Sequence, residues 1–221
     1  MTNQEILSHI DHTLLKAVAE WKGIAKLCDE AIQYQTASVC IPPSFVKPVH
    51  EEYGAKINIC TVIGFPLGYS ITAAKVLEAE RAILSGANEI DMVINIGDVK
   101  GGHFDWVLEE IKLLRKATAG KILKVIIETC YLGEEEKIRL CEIVTKAEAD
   151  YIKTSTGFGT AGATLADVQL FKKHIGPKVK IKAAGGVKTR EDLETFLGAG
   201  ADRIGTSSAV ALLTGGGAAG Y

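Results

Sequence analysis

Short apolar runs of β character alternate with longer amphipathic runs eight times along this chain, and few folds can absorb that pattern. The β-like runs are IDHTLL (10–15), SVCIP (38–42), INICTVIG (57–64), EIDMVIN (89–95), LKVIIET (123–129), YIKTST (151–156), KIKAAGG (180–186) and RIGTSS (203–208). Several are continuously apolar, as parallel strands covered on both faces are. Between them runs helical periodicity. Phe104, Val107, Leu108, Ile111 and Leu114 form one stripe, Ile138, Cys141 and Val144 a second, and Leu193, Phe196 and Leu197 a third. Thr164 with Asp167, and Thr189 with Asp192, read as capping-box helix starts. The lead-ins SGANEIDMV, EADYIKTS and GADRIGTS look alike, so one αβ unit recurs. Eight such units in 221 residues predict an α/β chain folded as a single (β/α)8 TIM barrel over residues 1–213, followed by a flexible glycine-rich tail, 214–221. An open doubly wound sheet is the alternative, but the first βα turn has no GxGxxG fingerprint.

Nearly half of the residues are hydrophobic (47%), enough for one large core. The formal charge is −2 and no basic run occurs, so neither nucleic acid nor an anionic membrane is an expected partner. No apolar stretch is long enough for a membrane span, and the first residues lack a signal-peptide pattern. The five cysteines are odd in number and lack CxxC spacing, which argues against a disulfide framework and for a reducing cytoplasm. His9 and His12 are close, but the other histidines are scattered and no HExxH occurs, so no metal or other cofactor is expected.

Active sites of this fold lie at the C-terminal ends of the strands, so polar residues within strand runs are the informative ones. Strand parity puts Asp91, Val93 and Asn95 on one face, Lys153 and Ser155 on another, and Lys182 and Ala184 on a third, with Lys180 at an exposed start. If these faces point inward, Asp91, Lys153 and Lys182 converge in the lumen, with Asp11 and Asn95 as neighbours. A single strand lysine is most often a solvated end or an ion pair, and Asp91 alone could cap a loop. Three such residues on separate strands are harder to explain as stability devices, because buried ion networks are often no better than apolar packing. Two lysines suit Schiff-base chemistry: burial and a nearby cation favour the neutral amine that attacks a carbonyl. An aspartate can shuttle protons on the hydroxyls formed during addition. Residue patterns alone do not say which lysine is the nucleophile. Cys40 shares its parity with Ser38 and reads as a small packed core thiol.

Gly185 and Gly186 follow the seventh run, and Gly205, Ser207 and Ser208 end the eighth. Loops after strands 7 and 8 of such barrels commonly bind phosphate through backbone N–H groups. Gly157 offers a third side. Glycines after strands also simply make tight turns, but two adjacent loops agree here.

At this point the chain resembles the deoxyribose-phosphate aldolase family of class I, Schiff-base aldolases. The resemblance is carried by DHTLL, EIDMVIN, LKVIIET, YIKTSTGF, KAAGGV and RIGTSS over nearly the whole chain. It implies Lys153 as the Schiff-base lysine, Lys182 as the lysine that tunes it and Asp91 as the proton relay. It also implies a phosphate site at Gly157, Gly185, Gly186, Gly205, Ser207 and Ser208, a homodimer, and a terminal Tyr221 that visits the site. The implied reaction is reversible cleavage of 2-deoxy-D-ribose 5-phosphate to D-glyceraldehyde 3-phosphate and acetaldehyde. Some members carry a lysine after STG, where this chain has Phe158, so one charged phosphate contact is expected to be missing. Other readings are a transaldolase-like or 2-keto-3-deoxy-sugar aldolase, and a non-catalytic barrel that binds a phosphorylated ligand.

Overall fold

The computed structural model describes residues 1–215. Eight parallel strands close into a barrel in sequence order, with the eighth paired to the first. They are β1 (Ile10–Thr13), β2 (Ser38–Ile41), β3 (Ile59–Ile63), β4 (Glu89–Val93), β5 (Ile122–Ile126), β6 (Tyr151–Lys153), β7 (Lys180–Ala184) and β8 (Arg203–Thr206). A short α1 (Asn3–Leu7) precedes β1. The outer ring consists of α2 (Trp21–Tyr34), α3 (Val46–Tyr53), α4 (Thr72–Leu84), α5 (Ile96–Lys100), α6 (Phe104–Ala117), α7 (Glu134–Lys146), α8 (Leu165–His174), α9 (Arg190–Gly198) and α10 (Ala209–Thr214). The expected TIM barrel is the observed one, and all eight strand runs are strands. Helix α10 ends one residue past the expected boundary at 213. Tyr221 and residues 216–220 lie outside the described residues.

The helix stripes do what their spacing predicts. On α6, Val107, Leu108, Ile111 and Leu114 are buried. Thr164 and Thr189 cap α8 and α9 by accepting from the N–H groups of Asp167 and Asp192. Each such cap is worth about 1 kcal/mol.

Strand alternation separates two cores. Outward-facing Val39, Ile59, Ile90, Val125, Ile181 and Ile204 belong to the main apolar cluster between barrel and helices. The lumen holds only a small apolar cluster, Leu15, Cys40, Cys60 and Val62 with Phe65 against it. The rest of the lumen is ionic. Most expected runs overshoot at their C-terminal ends: YIKTST stops being a strand after Lys153, and KIKAAGG after Ala184. Some of those extra residues, Leu15, Thr156, Gly185, Gly186, Ser207 and Ser208, line the cavity at the barrel mouth.

Candidate active site

Register brings the charged residues into one layer. Asp91 is level with Lys124, Lys153 with Lys182, and Lys182 with Arg203. Asp91 lies at the centre, fully buried. Its Oδ2 accepts from Lys153 Nζ at 2.8 Å and from Lys182 Nζ at 2.7 Å, and its Oδ1 accepts from Lys124 Nζ at 2.8 Å. The three residues singled out by parity therefore meet around one carboxylate. Asp11 joins them, 2.5 Å from Lys182 Nζ. It also accepts from Ser38 Oγ and is paired with Arg203. Glu89 completes the set, 2.5 Å from Lys124 Nζ and 2.7 Å from Arg203 Nη2.

Asn95 is not part of it. Strand β4 ends at Val93, so Asn95 has left the strand face and caps α5, accepting from Gly97 N at 3.1 Å. The reading of Cys40 holds in its packing, yet the thiol faces the lumen. Its sulfur lies within 4.8 Å of both Cys60 Sγ and an Asp91 oxygen. Cys60 in turn donates to Asp91 Oδ1 at 3.1 Å.

Three members escaped the sequence reading: Lys124, Glu89 and Arg203. Parity carried the signal, since Glu89 has the phase of Asp91 and Arg203 that of Gly205. Both open their strands, where a charged residue ordinarily reads as a solvated end, as Lys180 is.

Among the described residues, four cationic side chains (Lys124, Lys153, Lys182, Arg203) meet three carboxylates (Asp11, Glu89, Asp91) here. Burial opposes the charge on Asp91, but the neighbouring lysines, Lys124 first, outweigh it and hold the carboxyl well below its usual range. Asp11 is depressed for the same reasons, with Lys182 its strongest partner. Burial likewise opposes the charge on Lys182, yet Asp11 and Asp91 hold it above the ordinary lysine range. Lys124 is held well above that range against burial, chiefly by Asp91. Two side-chain groups, Cys40–Cys60–Asp91 and Asp11–Cys60–Glu89, converge closely enough to hold an ion. Every carboxylate in them is already bound by lysine or arginine. His12 points outward to Glu30 and His9 to the Asp202 carbonyl, away from this centre.

Above the ionic layer opens a cavity of about 410 Å³. Its wall includes Lys153, Gly157, Gly185, Gly186, Gly205, Ser207 and Ser208, so all six residues expected to bind phosphate surround one space. Lys182 and Lys124 lie beneath it, fully buried, whereas Lys153 keeps 3% exposure and lines it. Among the described residues, the N–H groups of Gly157, Gly186, Val187 and Ser207 donate to no protein acceptor. The Ser208 hydroxyl is bonded to the Val187 carbonyl and to Thr206. Exposed Lys188 also lines the cavity and is a cation the sequence reading passed over.

The loops after β6 and β7 touch backbone to backbone. A Cβ on Gly162 would sit 2.3 Å from the Gly185 carbonyl carbon, and Ala163 N donates to the Ala184 carbonyl at 3.0 Å. Gly205 has a different reason: a Cβ there would lie 3.1 Å from Lys182 Cε. Its missing side chain makes room for that lysine. Phe158 projects outward, half-exposed, and packs edge-on against Phe65 with ring centroids 5.3 Å apart.

A closed parallel barrel with lysines gathered under an anion-suited mouth defines an enzyme of the barrel aldolase class. The sequence profile described as DeoC/LacD family aldolase matches residues 6–215. A deoxyribose-phosphate aldolase of Clostridium botulinum is 65% identical over all 221 residues, covering the whole of both chains. One of Clostridioides difficile is 59% identical over 210 residues, 95% of this chain and 96% of its own. Among solved structures, the tetrameric deoxyribose phosphate aldolase of Aeropyrum pernix superposes with a TM-score of 0.89 at 31% identity, covering 96% of this chain and 91% of that one. An aldolase named QR15 gives 0.91 at 39% identity, with 96% and 95% covered. This chain belongs to the DeoC/LacD family of aldolases.

Proposed function

We propose that this chain reversibly cleaves 2-deoxy-D-ribose 5-phosphate to D-glyceraldehyde 3-phosphate and acetaldehyde through a Schiff base on Lys153. The observation that carries this reading is that Lys153, of the three lumen lysines, is the one that lines the cavity. A lysine attacks a carbonyl as the neutral amine. Lys153 Nζ stands at the cavity wall, in reach of substrate. Attack gives a carbinolamine; protonation of its hydroxyl releases water and leaves the iminium. Retro-aldol cleavage then needs a base for the C3 hydroxyl proton, and the enamine needs an acid at its terminal carbon. Lys182 holds a proton, and Asp91 Oδ2 bridges it to Lys153 at 2.7 Å and 2.8 Å. A proton can pass along that line without a diffusing water. Asp91 is then the relay and Lys182 the proton source, placed by their hydrogen bonds.

The uncommitted N–H groups of Gly157, Gly186 and Ser207 would receive the substrate phosphate, with Gly185, Gly205 and Ser208 shaping the wall and Lys188 adding charge. We further read the enzyme as cytoplasmic, homodimeric and metal-independent, with Tyr221 as a second proton carrier. No helix among the described residues is long and apolar enough to cross a membrane.

Treatment with acetaldehyde and borohydride, followed by peptide mapping, tests the assignment. An ethyl adduct on Lys153 is expected, and Lys153→Arg should form none, because a guanidinium stays protonated. An adduct on Lys182 would reverse it.

A further inference from the structure

Glu128 lies just beyond β5, in the left-handed region at φ 54°, and is 2% exposed. Glycine or asparagine adopts that backbone more readily, and a buried carboxylate next to an anion-binding mouth is electrostatically adverse. Its hydrogen bonds explain its presence. Thr156 N donates to Oε1 at 3.1 Å, and the Thr156 hydroxyl donates to Oε2. The same hydroxyl accepts from Phe158 N at 3.0 Å. A line of bonds thus runs from Glu128 through Thr156 to Phe158, around Gly157. Thr129 N stitches the Glu128 turn to the Thr154 carbonyl at 2.9 Å. Gly159 closes over it, where a Cβ would sit 2.9 Å from Cys130 Sγ and 3.1 Å from Glu128 Cδ. Inside this clasp the Gly157 N–H stays uncommitted at the cavity wall.

We propose that Glu128 is a positioning residue for anion recognition: its carboxylate fixes the Thr156–Phe158 turn so that the Gly157 N–H is presented to the substrate phosphate. This rests on the phosphate reading of the cavity given above. Glu128 touches no substrate; it acts through Thr156. A carboxylate suits the task because each of its two oxygens accepts one Thr156 donor, whereas an amide presents a donor nitrogen in place of one of them.

Glu128→Gly separates the side chain from the backbone, since glycine relaxes the left-handed turn while removing the carboxylate. Glu128→Gln keeps the bulk and loses one acceptor. In both variants, KM for 2-deoxyribose 5-phosphate and the inhibition constant of inorganic phosphate should rise roughly tenfold, as expected for loss of a charged hydrogen-bond partner. Turnover of unphosphorylated 2-deoxyribose and borohydride trapping at Lys153 should stay within about twofold of wild type. A glycine variant that binds phosphate as tightly as wild type would reduce Glu128 to a turn residue and overturn the proposal. Equal losses on both sugars would overturn it too, since Glu128 would then act on Lys153. Wild-type enzyme that inorganic phosphate does not inhibit would instead remove the phosphate reading, and this inference with it.

Discussion

Lys182 has no exposed surface, holds its proton against burial, and is bonded to two carboxylates. A group so placed does not reach the cavity, so in the proposed mechanism it acts on turnover. Lys182→Met should lower kcat by roughly 10²–10⁴-fold, the range for loss of a general acid–base group, with little change in KM. Steady-state kinetics checks this; an unchanged kcat would leave Lys182 a purely structural cation. The neighbouring residues show how legible single positions were. Asp91, Lys153 and Lys182 could be found because a charge inside an apolar strand is conspicuous and parity aligns it with others. Glu128 could not, because its proposed role depends on a left-handed turn and a hydroxyl beyond the end of the next strand, and neither leaves a mark in its own neighbourhood of sequence. Ser208 was read from its place after the eighth run and from the resemblance, and its hydroxyl is bonded within the mouth, to the Val187 carbonyl.

Strand β5 was legible as a strand but not as a member of the site. Lys124 joins it to β4 through Asp91 and Glu89, and to β1 through Asp11 at 3.6 Å. Its removal leaves buried carboxylates short of a partner. Lys124→Met should therefore cost about 3–5 kcal/mol of stability, a fall in Tm of roughly 6–20 °C for a chain of this size. Differential scanning calorimetry measures it, and a Tm within a degree or two of wild type would mean that the carboxylates find other partners. A second brace lies outside the barrel. Lys75 on α4 is fully buried, pairs with Glu110 on α6 at 2.8 Å and donates to the Val93 carbonyl at 2.9 Å. Sequence periodicity located α6 as a helix, and α4 went unread. It could not foresee this ion pair, because a helix lysine ordinarily faces water.

Across the whole molecule, the lumen charges tie stability to pH in two directions. Asp11 and Asp91 titrate lower in the fold than in the open chain. Their stabilisation is complete above the open-chain carboxylate pKa of about 4 and is lost as pH falls below it. Lys124 and Lys182 titrate higher in the fold. Their stabilisation is complete below about pH 10.4 and is lost as pH rises beyond it. Urea midpoints should therefore form a plateau from about pH 5 to pH 10 with a decline on either side. A sharp peak near neutrality would show that other groups dominate. The eightfold barrel was the most legible feature of all, since alternation and length left little else for the chain to form, whereas loop geometry at the mouth was not encoded in any periodicity. That mouth has a consequence for how the enzyme can change. The loops after β6 and β7 meet at Gly162 and Gly185 with no side chain between them, so neither can lengthen or gain a Cβ without displacing the other. Evolutionary and laboratory variation in substrate scope should therefore collect away from that contact, around Phe65 beyond β3, which packs against the cluster that holds the cavity-lining Leu15.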